Sequence, residues 1–113
     1  MILEVAVLNI KTGLESKFEE DFTLASNYIQ SIKGYRSHTL RRCLENNSQY
    51  ILLVDWADVE SHEIGFRKSK GYLKWKELLH DYYDPFPIVN HYETIFDSGK
   101  NNRCRFLDKN NRL

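Results

Sequence analysis

The segment Tyr50-Ile-Leu-Leu-Val-Asp-Trp-Ala57 constrains the fold of this 113-residue chain more than any other. It is dense in β-branched and aromatic residues and lies between turn signals, so it reads as a strand. Successive side chains of a strand point to opposite faces. Tyr50, Leu52, Val54 and Trp56 therefore share one face, and Ile51 and Leu53 the other. Both faces are apolar and both need cover. Ile2 to Ile10 has the same character, with Ile2, Ala6, Leu8 and Ile10 opposed to Leu3, Val5 and Val7. A chain of this length has one core, not two.

The other elements follow from periodicity and punctuation. Thr12-Gly-Leu-Glu15 fits a capping box, with Glu15 reaching back to the Thr12 amide. Leu14, Phe18, Phe22, Ala25, Ile29 and Ile32 then recur at spacings of three or four, which predicts a helix over 13–32, stopped near Gly34. Tyr35 to Leu44 predicts a strand, joined to Tyr50–Ala57 through the turn-forming Glu45-Asn-Asn-Ser-Gln49 as an antiparallel hairpin. Asp58 is a candidate N-cap for a second helix from Val59. Ser69-Lys70-Gly71 interrupts that helix, and Ser69 recaps a continuation through Leu79. Pro85-Phe-Pro87 ends it, and Ile88 to Phe96 predicts the last strand.

The order β-α-β-β-α-β is ferredoxin-like: an α+β fold with a four-stranded antiparallel sheet and two helices. Both crossovers have the same hand, so both helices cover one face. The other face stays apolar, and an exposed patch of that size invites association. A homodimer packed sheet to sheet is therefore expected. The alternative is a monomer whose own tail lies over that face.

The formal net charge of zero is unevenly distributed. Residues 1–97, taken as the folded domain, carry 11 Lys/Arg and 15 Asp/Glu; residues 98–113, a basic polar tail, carry five Lys/Arg and one Asp. An acidic domain without a basic strand signature argues against nucleic acid as partner. No apolar run approaches the roughly 20 residues of a membrane helix, and the N-terminus lacks the basic start of a signal peptide. Cys43 and Cys104 form no C-x-x-C pair, so a reducing, cytoplasmic setting is expected and a zinc or thioredoxin-like motif is not. Phosphate-binding glycine loops and the G-x-S-x-G elbow are also missing.

The central pattern is a Trp closing the third strand (Trp56), a helix with Phe66-x-x-Ser69-x-x-Tyr72, a proline-containing loop, and a strand with His91-Tyr92. Over residues 2–96 it resembles the antibiotic biosynthesis monooxygenase family, whose members are dimeric α/β barrels. The resemblance implies oxidation of an aromatic phenol, quinol or anthrone by molecular oxygen, with no metal, flavin or haem. It also marks a departure. Many relatives carry His or Trp where this chain has Phe66, which can neither donate nor accept a proton. The haem-degrading branch of the superfamily uses a helix His and a strand Asn, and ten residues past Phe66 stands Lys76.

On this basis the pocket candidates are Asn9, Trp56, Phe66, Tyr72 and Trp75. His91 is the candidate catalytic group, as base or orienting donor toward a phenolic hydroxyl, if its side of the strand faces the pocket. His62 reads as a solvated helix residue able to flank an entrance. His38 reads as a residue of the dimer interface, and Arg67 and Lys68 as solvated charges that could clamp an acidic substrate. The leading function is a cofactor-independent monooxygenase. The alternatives are a non-catalytic barrel that binds a small hydrophobic ligand in a stress or regulatory role and, behind both, a haem-degrading monooxygenase, for which His62, His80 and His91 are available ligands.

Overall fold

The computed structural model describes residues 1–99. Its elements are β1 (Ile2–Asn9), α1 (Glu15–Ala25), β2 (Tyr35–Arg42), β3 (Gln49–Trp56), a π-helical turn (Ser61–Phe66), α2 (Lys70–Leu79) and β4 (Val89–Glu93). The strands form one antiparallel sheet in the order β2-β3-β1-β4. Two helical layers cover one face, as the strand order requires. The tail beyond residue 99 lies outside the described residues.

The alternation expected of β1 and β3 holds. Ala6, Leu8, Tyr50, Leu52, Val54 and Trp56 are buried beneath Phe18, Phe22, Ala25, Trp75 and Leu79. Residues paired across antiparallel strands share a face. His38, Val54, Glu4 and His91 therefore form one cross-strand row on the covered side. His38 is thus not an interface residue. Its ring bonds inward to Ser26 Oγ at 2.8 Å and to the Tyr35 hydroxyl at 2.6 Å. On the opposite face Leu3, Val5, Ile51 and Leu53 are half-buried and Val7 is 42% exposed.

Several boundaries differ from expectation, among them the end of β2, which stops at Arg42 and not at Leu44. α1 ends at Ala25, and a 3-10 turn over Ser26–Tyr28 carries the chain on. Ile29 is still buried, so the apolar spacing survives although the α-helix does not. Glu15 caps the Gly13 amide (3.0 Å) in place of that of Thr12, and its other oxygen accepts from Ser48 Oγ at 2.6 Å. β4 stops at Glu93, leaving Ile95 and Phe96 exposed. The expected caps at the second helical layer are present. Asp58 accepts from the Ser61 amide at 2.8 Å, and Ser69 Oγ accepts from the Tyr72 amide at 3.1 Å.

Candidate functional site

Between the covered face of the sheet and the second helical layer lies a narrow cleft. Its empty volume is about 490 Å³, counting its open mouth. The sheet supplies Glu4, Ala6, Leu8, Leu52 and Val89 as its floor. The π-helical turn supplies His62 and Phe66, with Arg67 directly after it. α2 supplies Tyr72 and Trp75, and the segment behind α2 supplies His80, Tyr83, Phe86 and Pro87.

The π-helical turn sets the geometry of one wall. The Arg67 amide donates to the His62 carbonyl at 3.0 Å, five residues back, and the helix widens there. Both His62 and Phe66 point inward and are buried. Phe66 meets Tyr72 and Trp75 edge-on, with ring centroids 5.2 and 5.5 Å away. His62 stacks on Trp56 at 5.4 Å. Edge-on and stacked rings fix one another's orientation through their quadrupoles, so the wall is rigid as well as apolar.

The floor carries a charge that the apolar alternation of β1 conceals. Glu4 is only 6% exposed and sits between Ile2 and Ala6 on the covered face. The Trp56 indole N–H donates to Glu4 Oε1 at 2.8 Å, and His62 Nε2 lies 3.4 Å from the same oxygen. His62 Nδ1 in turn shares a hydrogen bond of 2.8 Å with His91 Nε2. The result is a chain Glu4–His62–His91, with Glu4 Oε2 free of protein hydrogen bonds among the described residues.

Burial dominates the titration of this chain. It pushes the Glu4 carboxyl above its ordinary value, although the Trp56 N–H and the Arg67 charge pull the other way. It pushes His62 down to about 3, with the charges of Arg67 and His91 adding to the effect. His80 is held below its ordinary value by burial, then by Lys76 and Arg67, with Asp81 opposing. Burial likewise holds the Tyr83 phenol well above its usual range. Tyr83 is 9% exposed, and its hydroxyl has no protein hydrogen bond among the described residues. A buried hydroxyl in that state suits a bound ligand or water.

Of the residues expected at the site, Phe66, Tyr72 and Trp75 line the cleft. Trp56 stands behind the wall and acts on it through Glu4 and His62. His91 faces the covered side but reaches the cleft only through His62. Asn9 is not at the site. It lies on the opposite face, paired with Gln49, whose side-chain amide donates to Asn9 Oδ1 at 3.1 Å. His62, expected in solvent, is 3% exposed. Glu4 was absent from the expected set. Its signal was a lone acid in phase with the buried residues of an apolar strand.

Among the described residues no group of three or more His, Cys, Asp or Glu is arranged to hold a metal ion, and no helix is long and apolar enough to cross a membrane.

Residues 1–78 match a family model, that of the antibiotic biosynthesis monooxygenases. The uncharacterized protein YczJ of Bacillus subtilis (strain 168) is 46% identical over 95 residues, which is 84% of this chain and 100% of that protein. A crystal structure from Bordetella bronchiseptica, assigned to the antibiotic biosynthesis monooxygenases, superposes with a TM-score of 0.80 at 28% identity, covering 84% of this chain and 97% of that one. SnoaB, a cofactor-independent oxygenase from Streptomyces nogalater, superposes with a TM-score of 0.72 at 18% identity, covering 86% and 95%. At that identity the likeness to SnoaB is one of fold.

Proposed function

This chain belongs to the antibiotic biosynthesis monooxygenase family, and from that premise we propose that its cleft oxidises an aromatic phenol, quinol or anthrone with molecular oxygen, the substrate itself serving as the electron donor. The observation that carries the proposal is Glu4: a buried carboxylate on the floor of an aromatic cleft, with one oxygen tied to Trp56 and the other free.

A neutral phenol or anthrone gives up an electron to oxygen slowly, and its anion does so readily. The first requirement is therefore a base inside a dry cavity. Burial raises the basicity of Glu4 above that of an ordinary carboxylate, which is the direction a general base needs. Glu4 Oε2 accepts the substrate proton, Trp56 and His62 hold Oε1, and Tyr83 donates to the developing oxyanion. Glu4 thus takes the role that the sequence assigned to His91, and His91 becomes a positioning residue behind His62. For an anthrone, the carbanion passes one electron to O2. The resulting radical and superoxide combine, and the protonated peroxide loses water to leave a carbonyl. Both oxygen atoms are accounted for, one in the product and one in water. Phe66, Tyr72 and Trp75 supply apolar walls that keep bulk water from the anion.

A second copy of the chain covers the open sheet face in this proposal, because Leu3, Val5, Val7, Ile51 and Leu53 together form an apolar surface. The proposed setting is reducing and cytoplasmic, and among the described residues Cys43 has no disulfide partner.

Oxygen uptake with a panel of anthrones and quinols tests the proposal. Uptake is expected with at least one of them, and Glu4→Gln is expected to slow it by about 10²–10⁴-fold. His91→Ala is expected to be milder. Binding without any uptake across the panel would leave a ligand-binding barrel in place of an enzyme. Uptake unchanged in Glu4→Gln would remove Glu4 from the chemistry.

A further inference from the structure

Among the described residues Arg67 has no direct counterion, although its charge acts on the buried Glu4. Its side chain lines the cleft yet remains exposed, which places the guanidinium at the mouth. Among the described residues it makes no ion pair and no side-chain hydrogen bond. Of the other cleft-lining residues, Glu4 is the lone carboxyl; it lies on the floor, bonded to Trp56 through Oε1, and feels the Arg67 charge without forming an ion pair with it. The remaining polar groups there are the imidazoles of His62 and His80, whose charged forms burial disfavours, and the phenols of Tyr72 and Tyr83. The cleft is thus walled by aromatic rings, with one buried carboxyl on its floor and a planar cation at its entrance.

We propose that the cleft selects aromatic acids, with Arg67 pairing at the mouth to a carboxylate carried by the ligand while the ring system lies between Phe66, Trp75 and Phe86. An arginine presents a flat fork of donors that matches a carboxylate in two parallel hydrogen bonds, and a partly desolvated site strengthens them. Lys76 and Asp81 act on His80 with opposite sign and neither lines the cleft, so the positive charge at the mouth is that of Arg67. The inference rests on the cleft being the ligand site, and not on its oxygen chemistry.

Calorimetric titration of the full chain with 2-naphthoate and with its neutral isostere 2-naphthamide tests this. The acid is expected to bind about tenfold to a hundredfold more tightly, the range of a charge-assisted pair. Arg67→Gln is expected to abolish the difference, and Arg67→Lys to restore part of it. Lys68→Gln, one residue along and outside the cleft lining, is expected to keep it. Raising the salt concentration is expected to narrow the gap. Equal binding of acid and amide, a preference that survives Arg67→Gln, or no binding of the acid at millimolar concentration would each overturn the inference. If the acid preference holds and no oxygen is consumed, the oxygenase proposal falls and this one stands. If oxygen is consumed equally well with acid and neutral substrates, the reverse is true.

Discussion

The depressed basicity of His62 makes a quantitative demand on stability. Its ring is neutral in the fold down to about pH 3, whereas in the unfolded chain it takes up a proton near 6.5. Above pH 6.5 both states are neutral, and the group contributes no pH dependence. As pH falls from 6.5 toward 3, the unfolded state binds the proton and the folded state does not. Stability is therefore full above 6.5 and declines with acidification through that window. At about 1.4 kcal/mol for each unit of pKa, the gap amounts to roughly 4–5 kcal/mol, against a typical total of about 5–15 kcal/mol. Glu4 has the opposite sign. Its raised value gives stability that is full below 4.5 and is lost as pH rises through the folded value, so it partly offsets His62 above 4.5. Below 4.5 the loss from His62 stands uncompensated. His62→Gln keeps a hydrogen-bonding group beside His91 and Glu4 but does not titrate. Urea unfolding of both proteins, followed by tryptophan fluorescence at fixed chain concentration from pH 7 to 3, gives the difference directly. The two profiles are expected to diverge by about one proton's slope between 6.5 and 3, with the wild type losing ground on acidification. Parallel profiles, or a His62 ring resonance that titrates near 6.5, would refute the reasoning.

Three further outcomes are expected. Trp56→Phe leaves Glu4 Oε1 without its indole donor, which should cost about 1–3 kcal/mol in urea unfolding and raise the Glu4 titration further in an NMR pH series; an unmoved carboxyl would show that the bond does not hold the charge. Gly34→Ala adds a Cβ 2.0 Å from Ser61 Oγ at a φ of +91°, so thermal unfolding should reveal a loss of about 2 kcal/mol or more, and an unchanged midpoint would contradict the close approach. Val5→Asp puts an unpaired charge on the open sheet face and should weaken the proposed dimer by at least about 30-fold in sedimentation, while a wild type that is monomeric at micromolar concentration would dispose of the dimer itself.

The fold was legible because its signals are local and redundant. Alternation in β1 and β3, the cap at Ser69 and the stop at Pro85-Phe-Pro87 each reflect one short stretch of chain. Where a boundary moved, the apolar spacing was right and the backbone differed: Ile29 is buried from a tighter turn in place of an α-helix. The site was legible only in its apolar half. Phe66, Tyr72 and Trp75 are spaced to face one way, and periodicity finds them. The polar half depends on contacts between distant segments. Glu4 meets Trp56 across 52 positions, and His62 meets His91 across 29. His62 was misplaced for a further reason. A helix histidine among Glu60, Ser61 and Glu63 looks solvated until the π-helical turn rotates it inward, and that turn leaves no periodic mark in the sequence.

Phe66 is the residue that most weakened the case for chemistry on sequence grounds, because a phenyl ring handles no protons. The structure changes the weight of that objection. Four residues before Phe66, His62 is buried on the same wall and touches a carboxylate. Phe66 itself packs flat against that histidine, with ring centroids 6.5 Å apart and planes 29° from parallel, and edge-on to Tyr72 and Trp75. A polar side chain at position 66 would put a third titratable group beside two whose charged forms burial already disfavours, and would let water follow it. An apolar residue there adds to the burial that raises the Glu4 carboxyl and lowers His62, so in the proposed function a polar substitution at 66 is expected to reduce the basicity of Glu4.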